Sequence, residues 1–344
     1  MSRSRRQMLQ HIAAPLLLSA LPAVSRSQGN SAPPPDTDGK TAGADQPPTG
    51  NPRAATGAAG KHVFHPFDFG KRTVRLNNGI DMPIIGLGVW SLSPAQAENS
   101  VTHALRAGYR LIDTARMYRN EASVGKAVRA SGIPRDQIFI TTKIYGSSDY
   151  ANAGRAIDER LKELGSDYID LLLLHAPDSH DRDAWQVMER YVQAGKLRAI
   201  GLSNYHRKTF GDIMAVASIT PAVVQNEVHP YHQDTHTKAF LREYGTQMEA
   251  WYPLGGRNSY SLGGKDTLFA DPVIRALAAA HRKTPAQIIL RWQLQAANIA
   301  IPGSSNPDHI RENITIFDFE LSADDMKRMA ALDRKRKFSS FGGE

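Results

Sequence analysis

From Val74 onward, short β-branched or leucine-rich runs alternate with amphipathic stretches eight times over, which commits the chain to parallel βαβ construction. Parallel neighbours cannot be joined by a tight turn, so each pair needs a crossover, and the amphipathic stretches supply it. Strand-like runs fall at 84–88, 110–113, 138–143, 169–174, 198–202, 222–226, 247–251 and 298–301. Stretches such as SPAQAENSVTHALRAG, NAGRAIDERLKELG and DAWQVMERYVQAG lie between them, and these end in the Gly that commonly follows a helix C-terminus. Eight such units close into an α/β fold, the (β/α)8 or TIM barrel, whose site lies at the C-terminal ends of the strands. An open doubly wound sheet would want a GxGxxG turn after the first strand, and GLGVW at 86–90 leads to none. Before the first barrel strand, TVRLNNGIDMPIIG carries an Asn-Gly hairpin signal, read as an N-terminal β-hairpin cap across the bottom of the barrel; C-terminal helices follow the last strand.

Ahead of this unit the composition changes twice. MSRSRRQMLQ, with adjacent Arg5 and Arg6, leads into the short apolar run HIAAPLLLSALPAV and then small residues, which is signal-peptide architecture over 1–25. The order Ser4-Arg5-Arg6-Gln7-Met8-Leu9 resembles the bacterial twin-arginine motif. The twin-arginine export machinery is therefore an expected partner and the periplasm the expected location, the cytoplasm being the alternative if the signal is not used. Residues 26–61 are rich in Pro, Gly, Ala and Ser and too poor in large apolar side chains to offset chain entropy, so a disordered linker is expected before a barrel domain over 62–344.

No apolar stretch approaches the roughly 20 residues of a membrane span, so stable membrane insertion is not expected. The chain has no Cys, which excludes disulfides, thiolate metal sites and thiol catalysis; no metal site is expected. The net charge of +8 is diffuse, and its C-terminal part, Arg334 to Lys337, reads as a solvated helix end rather than a nucleic-acid surface.

Chemistry is carried by polar residues standing where apolar runs stop: Asp113 and Tyr118 in GYRLIDTARMYRNE, Lys143 in FITTKI, and His175 in LLLLHAP. Singly, Asp113 reads as a helix cap and His175 as a satisfied core histidine. A lysine closing a buried strand, however, needs a partner to offset its desolvation, and Asp113 on the adjacent strand is placed to be that partner. A carboxylate, phenol, ammonium and imidazole at successive strand ends form an acid/base site.

These residues resemble the aldo-keto reductase superfamily, over nearly all of 74–333. GYRLIDTARMYRNEASVG, residues 108–125, is similar to the family's first signature. The resemblance implies a nicotinamide-dependent carbonyl reductase with the catalytic tetrad Asp113, Tyr118, Lys143 and His175. Hydride delivery to a carbonyl leaves an alkoxide needing a proton, and Tyr118 is the implied general acid. Lys143 is expected to lower its pKa from about 10, Asp113 to hold the lysine, and His175 to orient the carbonyl oxygen. The alternative is a non-catalytic nicotinamide-binding barrel acting as an accessory or sensor subunit.

The same resemblance assigns Ser203, Asn204 and Gln225 to the nicotinamide carboxamide and Trp251 to the ring face, with Leu254 nearby. In IPGSSNPDHIREN, residues 301–313, it places Ser304 on the phosphate side, His309 near the 2′-phosphate, and Glu312 and Asn313 toward adenine. Gly303 and His309 stand where the family commonly has Lys and Arg, so NADPH is only slightly favoured as cofactor and NADH remains possible. Trp90, Tyr145 and Ala176 are the expected substrate-pocket residues; Ala176, where Trp often stands, implies a wider pocket. Bacterial diketo-gluconate reductase-like members are the most similar in kind, which implies a small-molecule carbonyl substrate.

Overall fold

The structure, a computed structural model, describes residues 63–255 and 267–341. The predicted signal segment, 1–25, and the whole of the predicted linker, 26–61, lie outside the described residues. Three short antiparallel strands come first, β1 (Phe67–Asp68), β2 (Thr73–Arg75) and β3 (Asp81–Pro83). Gly79, at φ +84°, supplies the left-handed turn between β2 and β3, as the Asn-Gly signal predicts. The turn's side chains reach the barrel sheet: Asn77 Nδ2 donates to the Pro221 carbonyl at 3.1 Å and Asn78 Nδ2 to that of Arg198 at 3.2 Å.

Eight parallel strands follow in sequential order: β4 (Leu87–Gly88), β5 (Leu111–Asp113), β6 (Phe139–Ile144), β7 (Ile169–Leu174), β8 (Leu197–Ser203), β9 (Val223–Glu227), β10 (Gln247–Trp251) and β11 (Asn298–Ala300). The sheet is curled, and its two edges meet. Gly86 N donates to the Ala300 carbonyl at 2.9 Å and Ala300 N to that of Ile84 at 3.1 Å. An α/β fold of this kind is consistent with a (β/α)8 barrel. Each expected strand is present within a residue or two at its ends, except the first, where regular pairing starts only at Leu87 and Ile85 instead bridges Ala300.

The crossovers are helices whose ends are written in the sequence. In α1 (Pro94–Arg106), Ser93 and Gln96 form a reciprocal capping box and Pro94 sits in the first turn, where its missing N–H is harmless. Helix α4 (Ala153–Leu164) stops at Gly165, in the left-handed conformation at φ +57°. All six residues of β6 and of β7 are buried, as strands covered on both faces require. Their apolar side chains anchor the strands, which fixes where each C-terminal end emerges. No helix among the described residues is long and apolar enough to cross a membrane.

Candidate active site

The four acid/base residues are delivered by three consecutive units. Asp113 ends β5, Tyr118 closes a 3-10 turn at Arg116–Tyr118, Lys143 is next to last in β6, and His175 follows β7. Parallel register sets Asp113 beside Thr141, two residues before Lys143, so the longer lysine folds back to the carboxylate. Its Nζ lies 2.8 and 2.7 Å from the two oxygens of Asp113, 3.0 Å from the Thr114 carbonyl and 3.4 Å from the Tyr118 hydroxyl. Lys143 is 0% and Asp113 2% exposed, so neither group can take its bonds from bulk water instead.

Burial alone would neutralise the Lys143 amine, but the Asp113 charge and hydrogen bond, joined by Tyr118 once that phenol ionises, outweigh it and raise its pKa, so the ammonium persists. Tyr118 departs from the sequence expectation. Burial pushes its phenol up to about 12, and the Lys143 charge, acting in the expected direction, recovers only part of that. Tyr118 is thus a fully protonated donor at neutral pH. His175 is also shifted by burial first and by the Lys143 charge second, to well below the usual imidazole range, and its Nδ1 has no hydrogen-bond partner. A neutral imidazole facing a phenol, ring centroids 5.8 Å apart, can donate a hydrogen bond to an oxygen between them.

A second carboxylate, absent from the sequence reading, joins this group. Gln225 Nε2 donates to Asp113 Oδ2 at 2.8 Å and to Glu249 Oε2 at 2.7 Å, bridging β5 and β10. Glu249 is 0% exposed, and burial followed by the charge of Asp113 raises its pKa to about 8. The desolvation argument that singles out Lys143 applies equally to a glutamate inside the run QMEAW, and would have found it.

A cavity of about 470 Å³ opens above the tetrad. Asp113, Tyr118 and His175 line it, as do Ser203, Asn204, Gln225, Trp251, Leu254, Ser304, His309 and Trp90. Ser91, Asn204 and Tyr252 also line it and hold φ of +61°, +63° and +52°, a region that non-glycine residues rarely adopt. Neighbouring bonds fix Asn204, whose Nδ2 donates to the His175 carbonyl at 2.9 Å and whose Oδ1 accepts from Trp251 Nε1 at 3.1 Å. Opposite, Gly303 lies so close to β4 that a Cβ there would meet the Gly88 carbonyl oxygen at 2.9 Å. Arg311 pairs with Asp308 on the exposed side of α10 (Pro307–Ile314).

Besides Lys143, which lies beneath Asp113 and Tyr118, four assigned residues are absent from the lining of the cavity. Glu312 accepts from Thr284 Oγ1 at 2.5 Å, and Asn313 is buried beside it in α10. Tyr145 packs edge to face with His175, centroids 5.4 Å apart, and the Ala176 carbonyl accepts from Tyr150 at 2.8 Å. The wider pocket expected from Ala176 is modified by the C-terminal tail, because Phe341 packs on His175 at 5.5 Å and itself lines the cavity. The tail also corrects the reading of Arg334 to Lys337 as a helix end. Helix α11 (Ala323–Ala330) ends earlier, and Arg334 lies over the Tyr231 ring at 3.8 Å. Glu227, at the end of β9, then accepts from the backbone of Phe338 at 2.5 Å and of Ser339 at 3.3 Å. A carboxylate receiving backbone N–H groups from over a hundred residues away has no local sequence signal.

This arrangement, a curled parallel α/β sheet with Tyr118, Lys143 and Asp113 hydrogen-bonded together and a neutral histidine at its C-terminal mouth, fits an oxidoreductase acting on carbonyl groups. The chain belongs to the aldo/keto reductase family, whose model matches residues 84–334. It is 42% identical over 270 residues to an aldo-keto reductase of Mycolicibacterium vanbaalenii, covering 77% of this chain and 94% of that one. It is 42% identical to morphine 6-dehydrogenase of Pseudomonas putida over 269 residues, 76% of this chain and 90% of that one. Among solved structures, MGS-M4, an aldo-keto reductase from a deep-sea metagenome library, superimposes with a TM-score of 0.73 at 37% identity, covering 77% of this chain and 96% of that one.

Proposed function

We propose that the protein reduces the carbonyl of an aldehyde, ketone or keto-sugar with NAD(P)H, Tyr118 acting as general acid. The observation that carries this reading is the set of contacts at Lys143 Nζ, which ties Asp113 and the Tyr118 hydroxyl together at the floor of the cavity. A reduced nicotinamide, when bound, supplies the hydride. Ser203, Asn204 and Gln225 offer a hydroxyl and two amides on one wall, with the Trp251 ring beside them, a donor set suited to a carboxamide and a flat heteroaromatic ring. His175 hydrogen-bonds the carbonyl oxygen and sets its position. As negative charge grows there, the Tyr118 hydroxyl transfers its proton, which is downhill even at a phenol pKa of about 12 because an alkoxide is the stronger base. Lys143 then stabilises the phenolate, and Asp113 keeps the lysine charged and in place.

NADPH remains the slightly favoured cofactor on family resemblance, although Gly303 and His309 provide neither of the usual cations. Loss of NAD(P)H absorbance with a small aldehyde tests the reaction; Tyr118→Phe is expected to lower the rate at least a hundredfold while the cofactor still binds. A Tyr118→Phe protein with full activity would remove Tyr118 from the acid role. From its N-terminal sequence we further propose that the protein is exported through the twin-arginine machinery. Cell fractionation finding it wholly in the cytoplasm would refute that.

A further inference from the structure

Within the reading just given, we propose that Glu249 is a positioning residue that acts through Gln225, fixing how that amide meets the nicotinamide and making the site's choice between oxidised and reduced cofactor depend on the protonation of Glu249. The geometry begins with Gln225 Nε2, which donates to Asp113 Oδ2 at 2.8 Å and to Glu249 Oε2 at 2.7 Å. An amide nitrogen has two hydrogens, and both are engaged by these carboxylates. The Gln225 carbonyl oxygen is therefore what the residue presents to a ligand, and it suits the –NH2 of a carboxamide. Without Glu249 one hydrogen would be unpaired, and the amide could turn over to present a donor instead.

The second half concerns charge. Glu249 is fully buried, with Oε1 lacking any partner, in a cluster where two carboxylates face one ammonium. The groups around it are Gln225 from β9, Asp113 from β5, Lys143 from β6 and the Tyr118 phenol; its register partner on β11 is the apolar Ile299. With Glu249 protonated, Asp113 and Lys143 balance; with it ionised, the floor carries a net negative charge. Burial and Asp113 hold the transition near pH 8, whereas His175 is neutral well below that and Tyr118 titrates near 12. An oxidised nicotinamide ring is a cation and a reduced one is neutral. Ionised Glu249 therefore favours the oxidised cofactor, and by linkage that cofactor promotes loss of the proton.

The experiment measures dissociation constants by quenching of tryptophan fluorescence, with no substrate present. NADP+ and NADPH, and separately NAD+ and NADH, are titrated into the purified protein from pH 6.5 to 9.5; the oxidised-to-reduced ratio cancels the titration of the cofactor's own phosphates. For the unaltered protein, preference for the oxidised form should grow by about tenfold across this range. Glu249→Gln, which keeps the shape and an acceptor for Gln225, should abolish that growth. Glu249→Leu should abolish it too and weaken all four cofactors by about tenfold through the freed Gln225 amide. A ratio independent of pH in the unaltered protein, or a step surviving in both variants, would overturn this inference and leave the proposed reaction standing. If no nicotinamide cofactor binds the unaltered protein at any pH, the proposed function falls, and this inference with it.

Discussion

The ammonium of Lys143 sits 2.7 Å from Asp113 Oδ2, and both residues are shut away from solvent. Removing either partner leaves an uncompensated buried charge. Lys143→Met is expected to destabilise the fold by about 3–5 kcal/mol, and Asp113→Asn combined with Lys143→Met to restore most of that loss while leaving turnover down at least a hundredfold. Urea denaturation alongside steady-state rates for the two proteins separates the structural contribution of the pair from its chemical one.

His175 should make the protein weaker in acid. Its folded-state pKa lies well below the ordinary 6.5 because it is buried beside Lys143. Below pH 6.5 the unfolded chain takes up a proton there that the folded chain refuses, so the stability contributed by the neutral form is lost as pH falls. The slope due to this residue approaches about 1.4 kcal/mol per pH unit. Denaturation midpoints at pH 7.0, 6.0 and 5.0 should fall less steeply in His175→Asn. Equal slopes would show that the imidazole is not buried as described.

Cofactor preference should move with residue 309. His309 lines the cavity, while Arg311 is held by Asp308 on the outer side of the same helix. His309→Arg places a permanent cation there and is expected to raise the preference for NADPH over NADH about tenfold. Arg311→Ala should leave the ratio unchanged. Catalytic efficiencies with both cofactors check the pair.

The tail should act on the substrate rather than on the chemistry. Phe341 forms one wall beside His175, and Glu227 holds its approach through two backbone N–H groups. Phe341→Ala is expected to raise KM for small aldehydes about tenfold, by loss of apolar contact, and to change kcat little. Glu227→Gln should speed hydrogen exchange at the Phe338 and Ser339 amides.

Most of what repeats was legible in the sequence. Strand runs, capping residues and the Asn-Gly turn depend on neighbours close in the chain, so Ser93, Gly165 and Gly79 announce their structures locally. The tetrad was legible for a different reason, since polar residues at the ends of buried runs are costly and hence conspicuous. Glu249 obeys the same rule but stands inside its strand rather than at the end. Phe341, Ser339 and Glu227 meet only through the fold, and no local pattern joins a carboxylate on β9 to a coil more than a hundred residues later. The Tyr118 shift was unreadable because its sign depends on how completely burial competes with a neighbouring charge.

Asp113, Lys143 and His175 stand at or next to the ends of strands whose register is fixed by a continuous apolar interior, and Lys143 in turn bonds the Tyr118 hydroxyl, whereas Trp90, Tyr252 and Phe341 reach the cavity from connecting segments and the tail. Mutation can therefore reshape the entrance without disturbing the register that brings Asp113, Lys143 and His175 together. A lineage built on this scaffold can change its diet quickly and its reaction hardly at all, and laboratory selection for a new substrate should accumulate its changes in the connecting segments and leave the strand ends alone.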